Sequence, residues 1–177
     1  MRIIGLAGWS GAGKTTLVTR LIPHLAEQGI TVSTVKHAHH AFDVDKPGKD
    51  SYEHRQAGAC EVLISSELRF ALMHELRGAP EPALAELLEK LSPVDLVIVE
   101  GFKREDLSKI EVHRAANGKP FLFSNDPGIV ALASDAAPAD CPLPSAALDD
   151  IAAIAKLVLA HAQPHEAALA RLRAATL

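Results

Sequence analysis

The chain has 177 residues, 48% apolar and 23% charged, with a formal net charge of −4 and two cysteines. That balance describes an ordinary globular chain long enough to bury a core, and it weighs against nucleic acid as the main partner. No run of 18 apolar residues is present to span a membrane.

The start of the chain leads straight into a strand pattern, with no signal-peptide layout. Cys60 and Cys141 lack metal-ligand spacing. Idle or buried thiols in a reducing cytoplasm are the expectation.

Residues 2–7 read as a short buried strand, and a helical pattern begins at Lys14. Between them, Gly8-Trp9-Ser10-Gly11-Ala12-Gly13-Lys14-Thr15 fits G-x-x-x-x-G-K-[ST], the phosphate-binding P-loop. Its glycines let backbone N–H groups turn onto a polyphosphate, and the helix N-terminus adds about half a positive charge. In that reading Lys14 reaches the β- and γ-phosphates and Thr15 offers its hydroxyl to Mg²⁺. Leu17, Val18, Leu21, Ile22 and Leu25 share one helical face; Pro23 should kink this helix and Gly29 should end it.

Residues 31–35 are β-branched and read as the second strand. A polar stretch, 36–49, and a short helix, 50–58, come next, with Asp50-Ser51 as either a capping pair or a functional pair. Residues 61–65 and 69–73 read as strands joined by a tight turn, and 81–91 as a helix. The most apolar run, 94–99, suits a central strand. Residues 109–113 alternate like a more solvent-exposed strand and offer a pairing edge for a second copy. A late strand at 129–133 and two Ala-rich helices at 149–162 and 165–174, broken at Pro164, complete the pattern. Alternating strands and helices predict an α/β, P-loop NTPase-like fold: a mostly parallel sheet with helices on both faces. One domain over 1–177 is expected, with a helical segment, 148–177, packed on it and the stretch 136–147 as its nearest approach to a hinge.

Glu100-Gly101 follows the apolar strand, where open α/β sheets gather ligands. A carboxylate there can hold Mg²⁺ as a Walker-B acid does. His37, His39 and His40 invite a zinc reading, but loop spacing and the lack of a nearby cysteine weigh against it. Asp43 and Asp45 are candidates for Mg²⁺ or water positioning, or simply a solvated acidic loop. Lys103 and Arg104 are candidates for an anionic substrate, or exposed charges. Asn125-Asp126-Pro127-Gly128 reads as a turn, and the Asn-Lys-x-Asp guanine motif is absent. Asp135 remains a candidate near a nucleotide base.

Taken together, residues 8–16, 35–40, 42–51, 56–59 and 97–103 resemble the molybdopterin-guanine dinucleotide biosynthesis adapter family, MobB, over roughly residues 1–135. The Pro47-Gly48-Lys49-Asp50-Ser51 segment is the most telling. The resemblance implies a GTP-binding, weakly hydrolysing dimer that assists the MobA nucleotidyltransferase, and molybdopterin-bearing proteins as further partners. It implies that Gly11, Gly13, Lys14, Thr15 and Thr16 bind phosphates and that Thr15 and Glu100 hold Mg²⁺; Gly8, Ser10, Ala12, Lys36 and Asp135 complete the expected nucleotide-binding set. Lys14, Asp43, Asp45 and Asp50 would act on the γ-phosphate side. The family pattern has an acid where Ala41 stands, which would slow hydrolysis further.

Two other functions stay open. A small-molecule kinase would use the same P-loop and hold its acceptor with Lys103 and Arg104, though no Arg-rich lid is visible. A pure interaction protein would use nucleotide only to stabilise a dimer. No residue stands out as an arginine finger: Arg55 could serve within the chain or across a dimer, but an exposed arginine is the commoner explanation.

Overall fold

The computed structural model describes residues 1–38 and 42–175. It forms two compact units, one of Met1–His37 with everything from Leu84 onward, the other of Ala38–Ala83.

In the first unit, strands β1 (Arg2–Ala7), β2 (Val32–Lys36) and, further on, five more build one seven-stranded sheet. The second unit contributes helix α2 (Asp50–Gln56) and strands β3 (Glu61–Ser65) and β4 (Phe70–His74). The remaining sheet strands are β5 (Leu96–Glu100), β6 (Lys109–His113), β7 (Ile129–Ser134), β8 (Ser145–Ala146) and β9 (Gln163–Pro164). Their order is β2-β5-β1-β6-β7-β8, every neighbour parallel, with β9 antiparallel against Arg2 and Ile3.

Helices α1 (Lys14–Ala26), α3 (Leu84–Glu89), α4 (Ile151–His161) and α5 (His165–Ala174) cover the sheet. Side chains alternate across it. Ile4, Leu6, Leu96, Ile98, Ile110 and Val112 pack with Leu21 of α1 and Ile154 and Val158 of α4. Ile3, Val97 and Val99 pack with Leu88 of α3 and Leu169 and Leu172 of α5. Burial on both sides is why β1 and β5 are continuous apolar runs. Each fully buried Leu or Ile contributes about 1.5–3 kcal/mol over an exposed one. Helices therefore lie on both faces of a mostly parallel sheet, as expected.

Local details follow from single residues. Helix α1 continues through Pro23, whose carbonyl accepts from Glu27 N at 3.0 Å. Gly29, at φ +76°, then ends it while Ile30 N returns to Leu25 O at 3.1 Å. Helix α3 starts at Leu84 rather than at 81, because Pro82 pushes Glu81 out of the helical region. The Asn125–Gly128 turn is present, closed by Gly128 N donating to Asp126 Oδ1 at 2.9 Å.

Two expectations are corrected. Strand β6 is not an exposed edge: it lies between β1 and β7 and all five of its residues are buried. Its polar side chains are covered by the chain's own loop. Lys109 Nζ pairs with Asp126 at 2.7 Å, and Glu111 accepts Leu122 N and Phe123 N at 2.7 and 2.9 Å. His113 Nε2 meets Lys119 O at 3.0 Å, and its ring stacks on Phe121. Alternation looks the same whether the polar side meets water or buried hydrogen-bond partners. Nor does Asp50-Ser51 cap α2: Lys49 is the N-cap residue and makes no side-chain cap bond. Ser51 is buried and donates to Asp45 Oδ1 at 2.9 Å.

In the second unit, β3 and β4 form an antiparallel hairpin with Glu61 opposite His74 and Ser65 opposite Phe70. Val62 is buried, but Leu63, Ile64, Phe70 and Leu72 are exposed. Both thiols are unpaired, and Cys60 is exposed rather than buried. Among the described residues no helix is long and apolar enough to cross a membrane.

Candidate functional site

Because β2, β5, β1 and β6 are parallel neighbours, their carboxyl ends form one row along the sheet. Lys36 ends β2, Glu100 ends β5, residues 8–13 leave β1, and Arg114 leaves β6. Register places Lys36 directly opposite Glu100, and Glu100 opposite Leu6.

The loop 8–13 is seated by close approach. Gly8 has φ +148°, and a Cβ there would stand 2.4 Å from Val112 O of β6. Ala12 is buried in the core, and Gly13, in the left-handed region, is the N-cap of α1. Lys14 Nζ folds back onto the loop, donating to Gly8 O at 2.9 Å and Trp9 O at 3.1 Å. Partial burial holds its pKa below the usual lysine value, with Lys103 and Lys36 adding repulsion and Glu100 opposing the shift.

The Thr15 hydroxyl donates to Glu100 Oε1 at 3.4 Å, and Lys36 Nζ stands 3.9 Å from Glu100 Oε2. Two hard oxygen donors side by side suit a divalent cation such as Mg²⁺. Gly101, at φ +96°, lets His37 close in: a Cβ would lie 2.9 Å from that of His37. Thr16 is exposed one residue further along α1.

A second wall comes from the segment after β6. Trp9 Nε1 donates to Pro120 O at 2.9 Å, and Asn117 Nδ2 donates to Ser10 O at 3.1 Å. Lys103 and Lys119 place ammoniums 5.3 and 5.9 Å from the Trp9 ring. Asp135 Oδ1 accepts Ala115 N at 2.8 Å, and its Oδ2 lies 3.9 Å from Arg114 Nη1.

The structure thus gathers residues 8–15 with Lys36 and Glu100, and fixes Asp135 to the turn after β6. Asp43, Asp45 and Asp50 belong to the second unit. There, Arg55 bonds both oxygens of Asp43 at 2.8 and 3.0 Å, Asp45 Oδ2 at 3.4 Å and Glu75 Oε1 at 3.0 Å. Asp43 is held below the usual carboxylate range, first by Asp45 N–H and then by Arg55. The fork of Arg55 is filled by these carboxylates, and its pKa is raised accordingly. Asp50 sits exposed in the first turn of α2. His39, His40 and the Ala41 position lie outside the described residues.

Arg114 and Asn117 escape sequence reasoning. Both are ordinary loop residues until β6 is known to adjoin β1, and Arg114 following directly on the strand 109–113 is the one local signal.

Comparison with known proteins agrees with this geometry. The family model described as molybdopterin guanine dinucleotide synthesis protein B (MobB) matches residues 3–135. The molybdopterin-guanine dinucleotide biosynthesis adapter protein of Escherichia coli (strain K12) is 46% identical over 136 residues, covering 75% of this chain and 78% of that protein. Its Haemophilus influenzae counterpart is 41% identical over 136 residues, covering 75% and 74%. A crystal structure of molybdopterin-guanine biosynthesis protein B superposes with a TM-score of 0.71 at 29% identity, covering 89% of this chain and 98% of that one. The chain belongs to the molybdopterin guanine dinucleotide synthesis protein B family.

Proposed function

We propose that the chain is a GTP-binding adapter with slow hydrolysis, working with a MobA-type nucleotidyltransferase in molybdopterin guanine dinucleotide biosynthesis in the cytoplasm. The observation that carries this reading is the meeting of Lys14, Thr15, Lys36 and Glu100 at the carboxyl ends of adjacent strands.

Backbone N–H groups of 11–16 and the Lys14 ammonium would take the β- and γ-phosphates, Lys14 exchanging the Gly8 and Trp9 carbonyls for phosphate oxygens. Thr15 and Glu100 would hold Mg²⁺, and Lys36 would orient Glu100. A Mg²⁺ ion held by Thr15 and Glu100 would supply neutralisation of phosphate charge. Asp135 would lie on the base side. The engagement of Arg55 by three carboxylates supports low intrinsic turnover, since its donors are already taken. The exposed Leu63, Ile64, Phe70 and Leu72 of the hairpin support a homodimer formed through it rather than through β6.

Calorimetric titration of GTP, GDP and ATP with Mg²⁺, with and without MobA, tests the whole reading. GTP binding that is lost in Lys14→Ala is expected. Equal binding by Lys14→Ala and the parent chain would defeat the mechanism.

A further inference from the structure

We propose that Arg114 is a phosphate-binding residue of the nucleotide site, an inference that rests on the nucleotide-binding reading above. Arg114 is the first residue beyond β6 and leaves the sheet beside the loop 8–13 that follows β1. Its Nη2 stands 3.3 Å from where a Cβ on Gly13 would be, so the guanidinium lies against the N-cap of α1. The N–H groups of that turn are the ones that face an anion.

Its donors are available. The Arg114 side chain is 43% exposed, and the ion pair with Asp135 at 3.9 Å is longer than a hydrogen bond. Among the described residues the guanidinium makes no hydrogen bond. Other arginines contrast with it: Arg55 is filled by three carboxylates, Arg171 pairs with Asp106, and Arg173 pairs with Glu89. An unfilled guanidinium fork beside an anion cradle matches phosphate geometry, which a single ammonium does not reproduce.

The surrounding turn keeps Arg114 in place. Asn117 ties it to Ser10 O, and Asp135 Oδ1 holds Ala115 N. Below it, Glu111 and His113 anchor the loop that continues the turn. Arg114 therefore needs only a side-chain rotation to exchange Asp135 for a phosphate oxygen, and Asp135 limits how far the guanidinium strays.

The test is titration of GTP, GDP and ATP with Mg²⁺ into the parent chain and into Arg114→Ala, Arg114→Lys and Arg173→Ala. Arg173→Ala removes the same charge from α5, away from the row of strand ends. Circular dichroism and melting establish that each variant is folded. A charge-assisted hydrogen bond predicts roughly tenfold or greater weakening in Arg114→Ala, equal for all three nucleotides, with partial recovery in Arg114→Lys and none of the loss in Arg173→Ala. Unchanged affinity in a folded Arg114→Ala overturns the proposal while leaving the nucleotide site standing. Loss for GTP with ATP unaffected also overturns it, because Arg114 would then read the base. Failure of the parent chain to bind any nucleotide overturns both this inference and the reading beneath it.

Discussion

The Thr15 hydroxyl donates to the Glu100 carboxylate across 3.4 Å, although 85 residues separate them in the chain. The contact exists because β1 and β5 are parallel neighbours and both end at the same edge. It joins the P-loop to the acid that follows the most apolar strand. Replacing Glu100 by Gln keeps a hydrogen-bond acceptor but removes the charge. We expect Glu100→Gln to bind nucleotide without Mg²⁺ much as the parent does, and to lose most of the gain that Mg²⁺ confers. Titrations run with Mg²⁺ and with chelator measure that difference; an undiminished Mg²⁺ effect would place the cation elsewhere.

Gly8→Ala should be among the most damaging single-atom additions. The new Cβ would meet Val112 O at 2.4 Å, a backbone atom inside the sheet that cannot swing away. Loop and strand must separate, at a cost on the order of 2–3 kcal/mol. Urea unfolding gives the stability change, and nucleotide affinity should fall with it.

Glu111 is fully buried and receives the N–H groups of Leu122 and Phe123. Glu111→Ala leaves two partly buried donors without a partner and should cost about 2 kcal/mol. Burial raises the Glu111 pKa above the ordinary 4.5, outweighing the two N–H bonds. A group raised in the folded state contributes fully below its unfolded value and loses that contribution as pH rises through the folded value. The stability advantage of the parent chain over Glu111→Gln should therefore be greatest in acid and shrink toward neutral pH. Denaturant midpoints at several pH values provide the comparison; an advantage that grows with pH would contradict it.

The hairpin gives a prediction for assembly. Phe70 is 72% exposed and Leu63 62% exposed on a two-stranded sheet, which is marginal alone. Phe70→Glu combined with Leu63→Lys should shift a dimer to monomer in sedimentation velocity while leaving monomer melting nearly unchanged. Persistence of the dimer would move the interface off the hairpin.

The parts of the molecule legible in the sequence are those encoded by neighbours in the chain. Gly8–Thr15 carries its own turn chemistry, and the run ending in Glu100 announces a buried strand with an acid at its tip. What was hidden depends on which strands adjoin. Lys36 meets Glu100 only because β2 pairs with β5, and Arg114 meets Gly13 only because β6 pairs with β1. The polar residues of β6 misled for a related reason. Lys109, Glu111 and His113 are spaced like a solvent face, and the loop that covers them lies further along the chain. The reassignment of Ser51 is similar: a serine near a helix start reads as a cap until Asp45 is found within 2.9 Å of its hydroxyl.

The row of strand ends has a mechanical meaning as well. Lys36, Glu100, the loop 8–13 and Arg114 hang from four adjacent strands, each about 4.8 Å from the next. A ligand touching all four would clasp strands that share no covalent connection near that edge, much as a rivet joins planks. Its binding energy would add directly to the resistance of the sheet to unravelling, by RT ln(1 + [L]/Kd). Pulling β2 away from β5, or β6 away from β1, would then become harder with the logarithm of ligand concentration once that concentration exceeds Kd.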